Sequence, residues 1–162
     1  MAERLLILRH GEAGAGWPDA ERALTEHGRR EVARQAAWLA ERCDLAGLHL
    51  LASPFLRARQ TAAIIGEALG AAVETLPIIT PDDDPAAVAD WLLARPAERP
   101  RLLVSHMPLV GALTGLLVEG RADRGLGFST AAVAELEADV WAAGCARLVG
   151  FTTPSDLTPR VR

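Results

Sequence analysis

Short apolar runs alternate with amphipathic stretches along most of the chain. Leu5-Leu6-Ile7-Leu8 is continuously apolar, the pattern of a strand covered on both faces. Leu48 to Ala52 and Arg101 to Val104 repeat it, and Ala72 to Leu76 repeats it more weakly. The stretches between them have helical spacing. Thr25 is placed to cap a helix running to about Arg42, with Val32, Ala36 and Leu39 on one face. Ser53-Pro54 reads as the N-cap and first position of a second helix, to about Leu69. Asp84-Pro85 opens a third that ends before Pro96, and Pro108 opens a fourth to about Val118. Two later strands are expected at Ala131 to Leu136 and Ala146 to Thr152, joined as a hairpin through Ala142-Ala143-Gly144. Gly11 to about Ala23 is a Gly-rich loop.

Strands alternating with helices predict an α/β fold with a mostly parallel central sheet between two helical layers. Residues 1–152 form one domain in this reading, and 153–162, with Pro154 and Pro159, form a tail. Ligands of such sheets sit beyond the carboxyl ends of the strands. Those positions hold Arg9-His10-Gly11 after the first strand, Ser53-Pro54 with Arg57 after the second, and Ser105-His106 after the fourth. Two histidines and two arginines, far apart in sequence, thus gather at one sheet edge.

Composition narrows the chemistry. The 162 residues carry a net charge of -4, and half are hydrophobic. That balance excludes intrinsic disorder and argues against a general nucleic-acid binder. No apolar run approaches the length of a membrane span, and the N-terminus has no signal-peptide pattern. Every basic residue is Arg; the absence of Lys removes a P-loop, although Gly14 and Gly16 lie in a glycine-rich loop. Cys43 and Cys145 form no metal or disulfide motif and are expected as buried or half-buried thiols of a cytoplasmic protein.

Arginine forks match phosphate oxygens, a neutral imidazole is a nucleophile, and an imidazolium is an acid. Two of each suit attack on phosphorus. The local wording goes further. Leu8-Arg9-His10-Gly11-Glu12, Leu24-Thr25-x-x-Gly28, Ser53-Pro54-x-x-Arg57-Ala58-x-Gln60-Thr61 and Ser105-His106-x-Pro108 follow one another in order. They resemble the RHG signature and subsequent motifs of the histidine phosphatase superfamily, whose fold is phosphoglycerate mutase-like. Length and wording are most similar to the small SixA-type phosphohistidine phosphatases. The resemblance implies that His10 is the nucleophile and carries the phosphoryl group. It implies that Arg9 and Arg57 bind the phosphoryl oxygens and that His106 donates to the transferring group. Gly11 would let the backbone pass and help orient His10, and Arg22 would reach the pocket rim. No metal or cofactor is implied. The substrate would be a phosphohistidine-bearing phosphorelay or phosphotransfer protein, with no nucleic acid or membrane as partner.

One segment departs from the family pattern. Many members carry a carboxylate acid after the third strand, where this chain has Ile78. Asp82 or Asp83 could substitute, although a solvated turn with Asp84 as N-cap is the favoured reading. Glu12 either biases a nearby histidine or faces water. Without a placed acid a poor alkoxide would leave slowly, whereas the imidazole of a phosphohistidine can leave already protonated. The alternatives are a phosphomonoesterase for small metabolites, a weakly catalytic phosphoprotein-binding module, and a purely structural domain. His27 and His49 are read as structural or solvent-exposed. Trp38 and Trp91 are expected in the core. Trp17 and Trp141 could line a rim, with packing the favoured reading.

Overall fold

The first apolar run becomes strand β1 (Glu3–Arg9) of the computed structural model, which describes residues 2–157. Its side chains alternate across the sheet. Leu5 and Ile7 enter one hydrophobic layer, and Leu6 and Leu8 enter the other. A strand buried on both faces is what an unbroken apolar run requires. Strands β2 (His49–Ala52), β3 (Val73–Thr75), β4 (Arg101–Ser105), β5 (Val133–Ala138) and β6 (Arg147–Thr152) complete a six-stranded sheet in the order β3-β2-β4-β1-β5-β6. β1, β2, β3 and β4 pair in parallel; β5 runs against β1, and β6 against β5.

Helices α1 (Glu26–Ala40) and α2 (Leu56–Leu69) cover one face through Val32, Ala36, Leu39, Ala58, Ala62 and Ile65. Helices α3 (Pro85–Leu93) and α4 (Leu109–Glu119) cover the other through Val88, Leu92, Leu113 and Leu117. Two expected caps are present. Thr25 accepts from Gly28 N, and Asp84 accepts from Ala86 N at the start of α3.

Several expectations need correction. Ser53 does not cap α2. The helix starts at Leu56 with Phe55 as N-cap, because the Ser53 hydroxyl is taken by Phe55 N and by His106. Ala131, expected in a strand, adopts the left-handed region at φ 59°, and β5 begins two residues later. α1 stops at Ala40, and Cys43–Leu45 forms a 3-10 turn. Both cysteines are exposed, since they lie in turns rather than on packed faces. Pro154–Leu157, inside the expected tail, forms a 3-10 turn beside α1 with Pro154 buried. Asp156 closes it by accepting from Thr153 N at 2.8 Å. The rest of that tail, 158–162, lies outside the described residues.

Candidate active site

Sheet order determines which residues meet. β1 and β4 are neighbours in parallel, with Arg9 opposite Ser105, and His10 N donates to Ser105 O at 2.9 Å. The next residue of each strand is therefore a histidine leaving the sheet at the same edge. The His10 and His106 rings lie 5.0 Å apart between centroids, at 60°. β2 flanks β4 on the other side, and Ser53 N donates to Val104 O at 3.0 Å, which brings Ser53 up beside His106.

His10 is 7% exposed. Its Nδ1 lies 2.6 Å from the carbonyl oxygen of Gly11, which can only accept, so Nδ1 carries the proton. Arg57 Nε–H donates to His10 Nε2 at 3.3 Å, so that nitrogen presents a lone pair. Two independent contacts thus specify one tautomer. Burial is the main reason that the His10 pKa falls from 6.5 to about 4, with the charges of Arg57, Arg9 and Arg22 adding to it against the opposing Gly11 bond. The imidazole is neutral and unprotonated at Nε2 throughout the physiological range. Gly11 is needed for this turn, since a Cβ there would lie 2.7 Å from Val32 Cγ2 and 2.8 Å from Gly28 O. Its N–H donates to Thr61 Oγ1 at 3.1 Å, and Thr61 donates in turn to Arg57 O at 2.8 Å. One threonine therefore ties the His10 loop to the helix that supplies Arg57.

Arg57 is 5% exposed, and its outer donors are held by one loop residue. Nη1 donates to Asp19 O at 2.8 Å and Nη2 to the Asp19 carboxylate at 3.1 Å. Arg22 holds the other side of that carboxylate at 2.9 Å and anchors the loop through Nε to Gly14 O at 2.7 Å. Arg22, expected at the pocket rim, joins Arg57 through the shared Asp19 carboxylate. The hydrogen bond from Arg22, and then that from Arg57, hold the Asp19 carboxyl below the usual carboxylate range, so it is an anion and not a proton donor at neutral pH. Sequence reasoning missed Asp19. Its only local signal was the Asp-x-x-Arg spacing to Arg22 in a loop without periodicity. Arg9 donates to Phe128 O at 2.8 Å, and its Nε is buried without a hydrogen-bond partner among the described residues.

His106 is 1% exposed, and burial foremost, then the neighbouring His10 and Arg57, lowers its pKa to about 3. Its Nε2 meets Ser53 Oγ at 2.7 Å, while Ser53 accepts from Phe55 N at 3.2 Å. His106 Nδ1 is buried with no hydrogen-bond partner among the described residues, a costly state that an incoming acceptor would relieve. The Phe55 ring packs edge-on to His106 at 5.1 Å and lies 5.1 Å from the Arg57 guanidinium carbon. Thr61 belonged to a recognised motif but carried no assigned role, Phe55 fell on an unspecified position of it, and Ser53 was expected only as a helix cap.

The segment after β3 supplies no obvious acid. Ile78 packs against the core, Asp83 accepts from Thr80 N at 2.7 Å and from its hydroxyl at 2.6 Å, and Asp84 caps α3. Glu12 is exposed and accepts from Thr25 Oγ1 at 2.8 Å. His27 and His49 pair with Glu31 and Glu74. Trp141 is buried, Trp38 and Trp91 are half-buried against the core, and Trp17, expected to pack, is 91% exposed. Among the described residues no three His, Cys, Asp or Glu side chains gather as a metal site would, and no helix is long and apolar enough to cross a membrane.

Comparison with known proteins settles the family. The sequence profile of the histidine phosphatase superfamily (branch 1) matches residues 5–80. The phosphohistidine phosphatase SixA of Escherichia coli (strain K12) is 35% identical over 142 residues, 84% of this chain and 86% of that protein. The chain belongs to the histidine phosphatase superfamily. Superfamily membership extends to the backbone. A protein histidine phosphatase SixA complexed with tungstate superposes with a TM-score of 0.84 at 32% identity, covering 96% of this chain and 99% of that one. A mycobacterial glucosyl-3-phosphoglycerate phosphatase complexed with VO3 shares the fold at a TM-score of 0.73 and 21% identity, covering 93% and 99%. The fold thus serves relatives of different named substrates, and local chemistry must separate them.

Proposed function

We propose that this superfamily member is a phosphohistidine phosphatase that works through a covalent intermediate on His10. The observation that carries the reading is the doubly specified tautomer, with Nδ1–H on Gly11 O and the Nε2 lone pair facing Arg57. The likeness to SixA supports the substrate class.

His10 Nε2 attacks phosphorus in line and forms a new N–P bond. The P–N bond of the substrate breaks, and its electron pair leaves on the departing nitrogen. The reacting form of the substrate is the phosphoimidazolium, protonated on the other ring nitrogen, so the product is neutral imidazole and no enzyme acid is required. This fits a site in which Asp19, the carboxylate bonded to Arg57, is held ionised. Water then attacks phosphorus, the His10–P bond breaks, inorganic phosphate departs, and His10 regains its neutral Nδ1–H form. Arg57 Nε, released from Nε2 when that nitrogen bonds phosphorus, turns to a phosphoryl oxygen. The unpartnered Arg9 Nε and His106 Nδ1 are further donors available for the other oxygens. Fixed cations stabilise the transferring charge without reorganisation. The exposed thiols Cys43 and Cys145 suit a reducing cytoplasm, where protein phosphohistidines of phosphorelay and phosphotransfer systems would be met.

The test compares hydrolysis of a phosphohistidine protein with that of sugar phosphates, chelator present, for wild type and His10→Ala. The expected result is a preference for the P–N substrate and a loss of about a thousandfold or more in His10→Ala, with no labelled phosphoenzyme. Wild-type turnover by His10→Ala would overturn the assignment of the nucleophile, and a preference for sugar phosphates would overturn the substrate class.

A further inference from the structure

Trp17 is 91% exposed, while the other exposed large apolar side chains, among them Leu93 and Val149, reach only 45%. The remaining tryptophans have work in the fold. Trp141 is buried, the Arg42 guanidinium stacks on Trp38, and the Arg95 guanidinium stacks on Trp91. Trp17 belongs to an exposed, uncharged run, Ala15-Gly16-Trp17-Pro18. Such a run is out of place on a soluble surface unless it meets something. The loop carrying it is well tied. Ala13 and Leu24 form an antiparallel bridge, Gly14 N donates to Ala23 O at 2.9 Å, and Glu21 N donates to Pro18 O at 3.0 Å. Two residues beyond the indole, Asp19 grips Arg57. Two peptide links span at most about 7.6 Å between Cα atoms, so the Trp17 backbone is held within that reach of the residue that grips Arg57.

We propose that Trp17 is the anchor by which a folded, phosphohistidine-bearing protein docks on this enzyme, using an apolar patch beside its phosphorylated ring. The inference rests on the phosphohistidine reading and adds the recognition surface to it. A small metabolite needs contacts only around its phosphoryl group and its own few atoms. A protein-borne imidazole brings with it the surface from which it projects, and that surface must lie against the rim. Tryptophan is the residue type most enriched among side chains that dominate interface energetics, and it loses little rotamer freedom on burial. Continuity with Arg57 through Asp19 makes the docking surface part of the same loop that holds the guanidinium.

The test uses Trp17→Ala and Trp17→Phe with two substrates, a histidine-phosphotransfer domain phosphorylated on its histidine and free phosphohistidine. For Trp17→Ala, KM for the domain should rise about 10- to 30-fold, while kcat/KM on free phosphohistidine stays within about twofold. Trp17→Phe should recover most of the loss. An equal loss on both substrates would show that the indole serves the pocket or loop, and an unchanged KM for the domain would show that it anchors nothing; either result overturns the proposal. Failure of the phosphohistidine reading is distinguishable, because wild type would then turn over neither substrate, and the docking proposal would fall with it.

Discussion

The two ends of the parallel strands use arginine in opposite ways. At the amino end, Arg95 and Arg99 bond the carbonyls of Trp91 and Gly47, but other guanidiniums meet carboxylates. Arg4 bonds Asp44 and Glu137, Arg42 bonds Glu135 and Asp44, and the buried Arg101 pairs with Glu3 at 3.2 Å. His49 is paired there with Glu74 as well. At the carboxyl end, Arg9 bonds only a carbonyl among the described residues, and Arg57 shares the single Asp19 carboxylate with Arg22. Carboxylates thus bond Arg4, Arg42 and Arg101 at one end, whereas at the other Asp19 bonds Arg57 and Arg22 and Glu31 acts on Arg9 through its charge alone. Burial first, and then the surrounding positive charges, keeps protons off His10 and His106. Two open cavities, of about 590 and 730 Å³, lie at the amino end around His49 and Arg99, but their lining includes none of the four residues that the sequence nominated for chemistry. Residue type alone does not mark the site; the balance of partners does.

Removing a partner at each end should therefore break different properties. The largest effect is expected at the amino end. Glu3→Gln leaves the buried Arg101 cation short of its counter-ion, which costs about 3 kcal/mol. Thermal unfolding should show a drop of about 10 °C, while KM and vanadate affinity stay at wild-type values. An unchanged melting temperature would mean that the Arg101–Glu3 pair is as dispensable as an exposed one. At the carboxyl end the order reverses. Arg57→Ala should weaken vanadate binding about 10- to 100-fold, the worth of one or two charge-assisted hydrogen bonds, with a smaller change in stability. A melting temperature that fell with affinity unchanged would contradict the contrast between the two ends.

Much of this arrangement was legible in the chain, for identifiable reasons. Leu5 to Leu8 is readable because a doubly buried strand must be apolar at every position. Thr25 and Asp84 are readable as caps because their short polar side chains accept from a helix N–H, and the bond that Thr25 also donates to Glu12 leaves that acceptor role intact. Ser53 has the same chemistry and was misread, because its hydroxyl is claimed by His106 from a strand that lies far away in sequence. Ala131 was misread for a related reason. Its left-handed turn lets its N–H reach His10 O at 3.0 Å, a constraint set by tertiary contact rather than by propensity. Arg9, His10, Arg57 and His106 were legible as strand-end residues and as family motifs. Asp19 was not, because an aspartate in a Gly-rich loop becomes significant only when the loop closes on α2. Trp17 escaped for the opposite reason. Hydropathy favours burying a tryptophan, and its exposure is visible only in three dimensions.

The burial of His10 also couples folding to acid. Its imidazole binds a proton less readily folded than unfolded, so stability is lost as pH falls from 6.5 toward about 4 and is regained as pH rises. The most direct measurement is an NMR titration of the His10 ring nitrogens. The account predicts a proton on Nδ1, none on Nε2, and a midpoint near the depressed value of about 4. An unshifted midpoint near 6.5, or a proton resident on Nε2 at neutral pH, would contradict it.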